Sequence, residues 1–412
     1  MQVTFIILVV VGILYFLFSK RFFDLFSIAF FSACVYFLPG FWGYVLIPES
    51  SVKTPVPLVA KAYLVMIAVL FAILIGGIYF DKTIKTEQIK LKIRGSHLAS
   101  SVATLIALLG FILTMLTVGS VVFSANKNEL LAELNRWFIL WEIGASLGAV
   151  LSFAQSRWIL LFICISLLFF EMYIGFRSGF VTTIIAIFTI GLSDQGRQRV
   201  AIKNWRICSV GLATILFIFV YKFLYQVIKL GEWGIVAERL QNPRFYFLTI
   251  TESEPFTTQC ILNEVLRTNF TTGMNHLLGV IHHFIIFSPE LGFQITSFND
   301  MFQPELFPEV KSGMANNIWA EMWSSGGWIL LLFFIVMFVV VLFLGSYYLL
   351  CVRDVALKGC IVLMSSYWAF YIHRNDLLYQ INLEKRVLVI WLLCIIISEL
   401  LCMTSKTKKI KY

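Results

Sequence analysis

Residues 327–350 read GWILLLFFIVMFVVVLFLGSYYLL, twenty-four positions without a charge. A helix rises about 1.5 Å per residue, so this run is long enough to cross a hydrocarbon core about 30 Å thick. Similar runs recur on either side of it. Reading outward predicts about eleven spans: 3–18, 22–47, 58–80, 99–123, 138–155, 158–175, 179–193, 207–225, 327–350, 359–372 and 387–402. The composition agrees, since 59% of the 412 residues are hydrophobic and 13% charged, with a mean hydropathy of +0.87. Soluble domains carry about 25% charged residues. Continuous rather than alternating apolar runs argue against a membrane β-barrel. The expected fold is all-α, a polytopic membrane protein in three parts: 1–225 with transmembrane helices 1–8, a large loop at 226–326, and 327–412 with helices 9–11 and a tail.

Loop charge sets the expected orientation. Lys20, Arg21, Lys82, Lys85, Lys90, Lys92, Arg94 and Arg157 fall on one side, together with Arg197, Arg199, Lys203, Arg206, Arg353, Lys358 and the basic tail. These are 18 of the 32 lysines and arginines, in short segments where the positive-inside rule is strongest. The tail is therefore expected in the cytoplasm and 226–326 on the outer face. The net charge of +9 then reflects basic loops rather than nucleic-acid binding. Of eight cysteines only Cys260 lies in a large polar segment, and no CxxC or zinc spacing occurs. The 3–18 run lacks a preceding basic residue and a small-x-small site, so it reads as a retained first span, or as half of a re-entrant pair with 22–47. Inside the outer loop, 256–267 and 272–287 show helical periodicity.

No GxxxxGKS loop, HExxH or DxD occurs, so no nucleotide-sugar or metal motif is present and no cofactor is expected. A substrate on the outer face must arrive already activated, most simply as a lipid-linked diphosphate. Tyr173-Ile174-Gly175-Phe176-Arg177-Ser178-Gly179 places an arginine at the outer boundary. Its planar fork suits phosphate, and glycines admit a bulky headgroup. The plain alternative is snorkelling, or a pair with Glu171. His373-Arg374-Asn375-Asp376 and Lys385-Arg386 put further arginines outside, against the positive-inside trend. They suit an anionic substrate, or ion pairs with Asp376 or Glu384.

On the helix expected over 272–287, His276 and His283 share a face with Gly279, and His282 stands beside them. The other faces are apolar, as in a helix lying in the interface. A neutral imidazole there is a candidate general base or an ordinary interfacial polar group. The run from Ser312 to Gly327 stacks Asn317 with Glu321, and Trp319 with Trp323, at i, i+4. Carboxylate, amide and indole together suit a sugar, or else form an aromatic belt ahead of the next span.

The order of these features resembles the Wzy-type O-antigen polymerases of the bacterial inner membrane. The likeness rests on the Gly175-Phe176-Arg177-Ser178 turn, the large outer loop, the Ser312–Gly327 run entering a span, and the hairpin with Arg374 and Arg386 beyond it. The first five spans match by hydropathy alone. The resemblance implies a metal-independent glycosyltransferase of GT-C type. It would act at the periplasmic face on undecaprenyl-diphosphate-linked oligosaccharides as donor and acceptor, among membrane lipids and alongside a chain-length regulator. Arg177 and Arg374 would hold the leaving diphosphate, with His283 or Glu321 taking the acceptor proton. Lys222 would add to the electrostatics or snorkel. Two rivals follow from the same residues. An O-antigen ligase would carry histidine where Asn316 stands, and a transporter or flippase of lipid-linked sugars would carry charges at the centres of several spans.

Overall fold

A computed structural model of the chain describes residues 1–49, 52–85, 88–89, 91–124, 127–285, 296–310 and 313–409. Lys90, Ser312, Lys411 and residues 286–287 of the expected interfacial helix lie outside the described residues. Seven helices within them are long and apolar enough to cross a membrane: Ala60–Thr83, Ser96–Phe123, Arg136–Ala154, Cys208–Lys229, Ile318–Cys351, Val355–Arg374 and Leu377–Thr404. Four shorter apolar helices, Gln2–Phe18, Leu25–Tyr36, Trp158–Tyr173 and Ser178–Ser193, stand at the other places where spans are expected. The chain is a helical, polytopic membrane protein.

The helix Ile318–Cys351 shows why sequence alone reads so clearly here. Leu331, Phe334, Ile335, Phe338 and Leu342 are buried against neighbouring helices, whereas Ile329, Phe333, Val336 and Val340 on the opposite side are exposed. Exposing an apolar stripe to water costs about 25 cal/mol per Å². Hydrocarbon tails remove that cost, so both faces can be apolar. Polar residues set the helix starts. Asp24, Asn135, Asn317 and Asp354 each accept a hydrogen bond from a first-turn backbone N–H, replacing a missing intrahelical partner.

The segment 22–47 departs from the expected single span. Its helix stops at Tyr36, a short turn Pro39–Trp42 follows, and the chain then runs into an antiparallel hairpin of Tyr44–Glu49 with Val52–Pro57, Tyr44 opposite Pro57. Pro39 cannot donate to a continuing helix, and the valines beyond it favour extended backbone. A hydropathy window cannot see the break because the residues stay apolar through it.

Two ends of the bundle carry different chemistry. At one end, Arg21 pairs through its backbone with Gln198, Arg197 donates to Asp81 O at 3.0 Å, and Lys358 lies 2.6 Å from Asp194. Asp354 receives Ile93 N and Ser96 Oγ there, and Arg157 binds Ser101. The segments expected inside thus meet at one end, around a cavity of about 770 Å³ lined by Lys92, Arg94, His97, Arg157 and Arg353. Arg21 is no solvated loop cation. It is 1% exposed, and bonds Asp24 and Asp81 at 2.8 Å each and Ser27 at 2.5 Å, tying the start of the helix Leu25–Tyr36 to the end of the helix Ala60–Thr83.

Candidate functional site

The opposite end gathers Arg177, Arg374 and a residue the sequence did not single out, Glu254. Arg177 stands immediately before the helix Ser178–Ser193, and Arg374 closes a short turn Ile372–Arg374. Glu254 is the first residue of the helix Glu254–Thr268, followed by Pro255, a place where the helix dipole favours an anion. Arg177 Nη2 donates to Glu254 Oε1 at 3.0 Å, and Arg374 Nη1 to Glu254 Oε2 at 2.7 Å. The three side chains are 21%, 29% and 21% exposed for Arg177, Arg374 and Glu254, so a ligand can reach them. Glu171, Asp376 and Glu384, the partners weighed for these arginines on sequence grounds, do not take that role.

More groups surround this centre. The Arg374 guanidinium lies 5.3 Å from the centre of the Tyr371 ring, a cation–π contact. The Lys222 ammonium interacts electrostatically with Glu254, Arg177 and Arg374. Two guanidiniums therefore share one carboxylate at a partly open surface, and the Lys222 ammonium adds to the positive field around it. An anion with several oxygens is the natural ligand for such a set.

The run 313–327 supports the arginine hairpin instead of facing outward. Asn316 N donates to Arg374 O at 3.0 Å, and Asn316 Nδ2 to Asp376 Oδ2 at 3.1 Å. Trp319 Nε1 donates to His373 Nδ1 at 3.1 Å, and Glu321 Oε2 accepts Leu377 N at 2.7 Å. Asn317 caps its helix through Ala320 N and donates to Thr258 O at 2.9 Å. Asn317, Trp319 and Glu321 are completely buried, which leaves Trp319 no face for a sugar and Asn317 no free group. Burial pushes the Asp376 carboxyl above its usual range, against the pull of the Tyr379 and Phe298 backbone N–H groups. The helix they begin is broken at Gly327, where φ 62° and ψ −154° suit only glycine.

The histidine helix Met274–Ile285 packs its histidine face inward. His276 Nε2 donates to Glu321 Oε1 at 2.9 Å, and His283 Nε2 to Asn382 Oδ1 at 3.1 Å, while Lys385 reaches the His283 carbonyl. His282 is half-buried on the same helix. The expectation of a helix floating in the interface gives way to one docked on two spans. Glu321 and His283, the two candidate bases, are each tied into this packing.

Arg386 lies elsewhere, in a cavity of about 410 Å³ that Glu142, Ser178 and Tyr379 also line. Sequence reasoning missed Glu254, Tyr371, Tyr379 and Glu142. The Ser253-Glu254-Pro255 start of a helix was a readable sign of a dipole-favoured anion, but its pairing with residues on two distant spans was not. Among the described residues, no three His, Cys, Asp or Glu stand close enough to share a metal ion. No family model, curated protein or solved structure matches the chain.

Proposed function

We propose that the protein is a metal-independent glycosyltransferase of the O-antigen polymerase type, moving a glycan from undecaprenyl diphosphate onto the non-reducing sugar of a second lipid-linked repeat unit. The observation that carries this reading is the convergence of Arg177 and Arg374 on the single carboxylate of Glu254. In the resting protein Glu254 occupies the place of an anion between the two guanidiniums. An arriving diphosphate offers more oxygens and more charge, and exchanges with it. As the anomeric bond breaks, the electron pair passes to the diphosphate, whose charge Arg177, Arg374 and Lys222 neutralise without a proton. In this reading the arginine end faces the periplasm and the basic, opposite end faces the cytoplasm, in keeping with the positive-inside rule.

A transporter of the same lipid would need charges through the depth of several spans. Glu142, Glu171 and Glu384 do lie buried within helices, but Glu142 sits in the first turns of its helix and Glu171 in the last turn of its own, at the arginine end. The grouping favours a site over a path.

The test is reconstitution. Lipid-linked glycan extracted from a strain deleted for this protein is added to proteoliposomes of the purified chain. Longer lipid-linked glycan and released undecaprenyl diphosphate are expected. The reading fails if purified protein produces neither, or if a variant lacking both Arg177 and Arg374 elongates the glycan at the wild-type rate.

A further inference from the structure

The turn bearing Arg177 has two sides. Arg177 itself reaches Glu254, whereas its neighbours Phe176 and Ser178 line the cavity of about 410 Å³ with Arg136, Glu142, Tyr379 and Arg386. Like the cluster around Glu254, this cavity holds arginines, a carboxyl and a tyrosine, but more of its wall is apolar and aromatic. The Phe176 ring, the Glu142 carboxyl, the Arg386 guanidinium and the Tyr379 phenol are groups that recognise a sugar, through ring stacking and hydroxyl hydrogen bonds.

Two polar groups here are poorly committed. Arg386 is half-buried, and among the described residues it forms no hydrogen bond or ion pair, its carboxylate neighbour being Glu142. Glu142 is 6% exposed and accepts one hydrogen bond, from Ser178 Oγ to Oε1 at 3.0 Å. Behind it, Glu171 is fully buried with no side-chain partner, its carboxyl lying against the Gly179 backbone. Gly179 lets the two acids meet: a methyl group on it would stand 2.8 Å from Glu171 Oε2 and 3.1 Å from Glu142 Cγ. Burying two carboxyls side by side is costly, a strong sign of function when the surrounding wall could have been apolar.

The cavity also adjoins the arginine centre. The Tyr379 hydroxyl feels the charges of Glu142, Arg386 and Arg374. The shared turn, with Arg177 on Glu254 and its neighbours Phe176 and Ser178 on the cavity wall, sets the two sites side by side.

We infer that this cavity is the acceptor-sugar subsite, and that Glu142 is the general base. Its carboxylate takes the proton of the attacking hydroxyl as that oxygen bonds the anomeric carbon and the bond to the diphosphate breaks. Arg386 and Tyr379 hold the acceptor sugar. The inference rests on the glycosyl-transfer reading but assigns a base and a second site that reading does not contain.

The experiment separates the two. Full-length protein in proteoliposomes receives the lipid-linked glycan described above, with the same glycan released from its lipid by mild acid as acceptor. Binding of undecaprenyl diphosphate alone is measured in parallel. Glu142→Gln is expected to bind undecaprenyl diphosphate as wild type does while its kcat falls about 10²–10⁴-fold. Glu142→Asp, which keeps a shortened carboxylate, should recover part of that loss. Arg386→Ala should raise the acceptor KM at least tenfold with kcat within a few-fold. Wild-type turnover in Glu142→Gln, with diphosphate binding intact, overturns the subsite and leaves the reaction standing. A wild-type protein that neither binds the diphosphate nor transfers glycan overturns both.

Discussion

Arg374 Nη1 lies 2.7 Å from Glu254 Oε2, although 120 positions separate the two in the chain. A carboxylate so placed competes with any anion for the guanidinium. Glu254→Gln keeps the shape and removes the charge. It should bind undecaprenyl diphosphate more tightly, by up to about fivefold, the equivalent of a partly exposed ion pair of about 1 kcal/mol. Equilibrium binding to detergent-solubilised protein checks this, and weaker binding would mean that Glu254 helps to hold the ligand rather than standing in for it.

Removing a cation is a different matter. Arg177→Ala or Arg374→Ala, at normal membrane levels, should lower kcat by about 10²–10³, the usual loss when one preorganised charge at a reacting centre is deleted. Arg374→Lys should recover little, because an ammonium cannot present a planar fork to two oxygens. On gels, surface polysaccharide should collapse to core plus a single repeat. Full ladders from both alanine variants would take these residues out of the mechanism.

The bond from Trp319 to His373 Nδ1 lies entirely inside the protein. Trp319→Phe leaves that ring nitrogen buried without a donor, at a cost of about 1–3 kcal/mol. Thermal unfolding should move to lower temperature, while KM, measured well below the transition, stays near wild type. A large rise in KM with unchanged stability would return Trp319 to the sugar site from which its burial removes it.

Chelation should leave turnover intact. The described residues offer no cluster of ligands for a divalent ion, and in the proposed reaction Arg177 and Arg374, with Lys222 near them, supply the positive charge instead. Adding EDTA to the purified transfer assay measures this directly. Turnover that needs added magnesium would contradict the scheme.

What the sequence could determine was whatever depends on short stretches of chain. Continuous apolar runs report helices facing lipid, because that environment removes the demand for a polar face; loop charge sorts the two ends; and arginines outside the basic side stand out against the trend. Arg177 and Arg374 were legible for that reason. Their meeting on Glu254 was not, since it joins a turn, a loop helix and a late hairpin whose relative placement is set by packing. Nor could spacing tell that Asn317, Trp319 and Glu321 face inward. An i, i+4 pattern says which residues share a face, and only the neighbouring helices decide whether that face meets solvent, lipid or another protein wall. The hairpin at 44–57 and the carboxyl pair of Glu142 and Glu171 belong to the same class: extended backbone hidden within an apolar run, and two acids made neighbours by a glycine on a third helix.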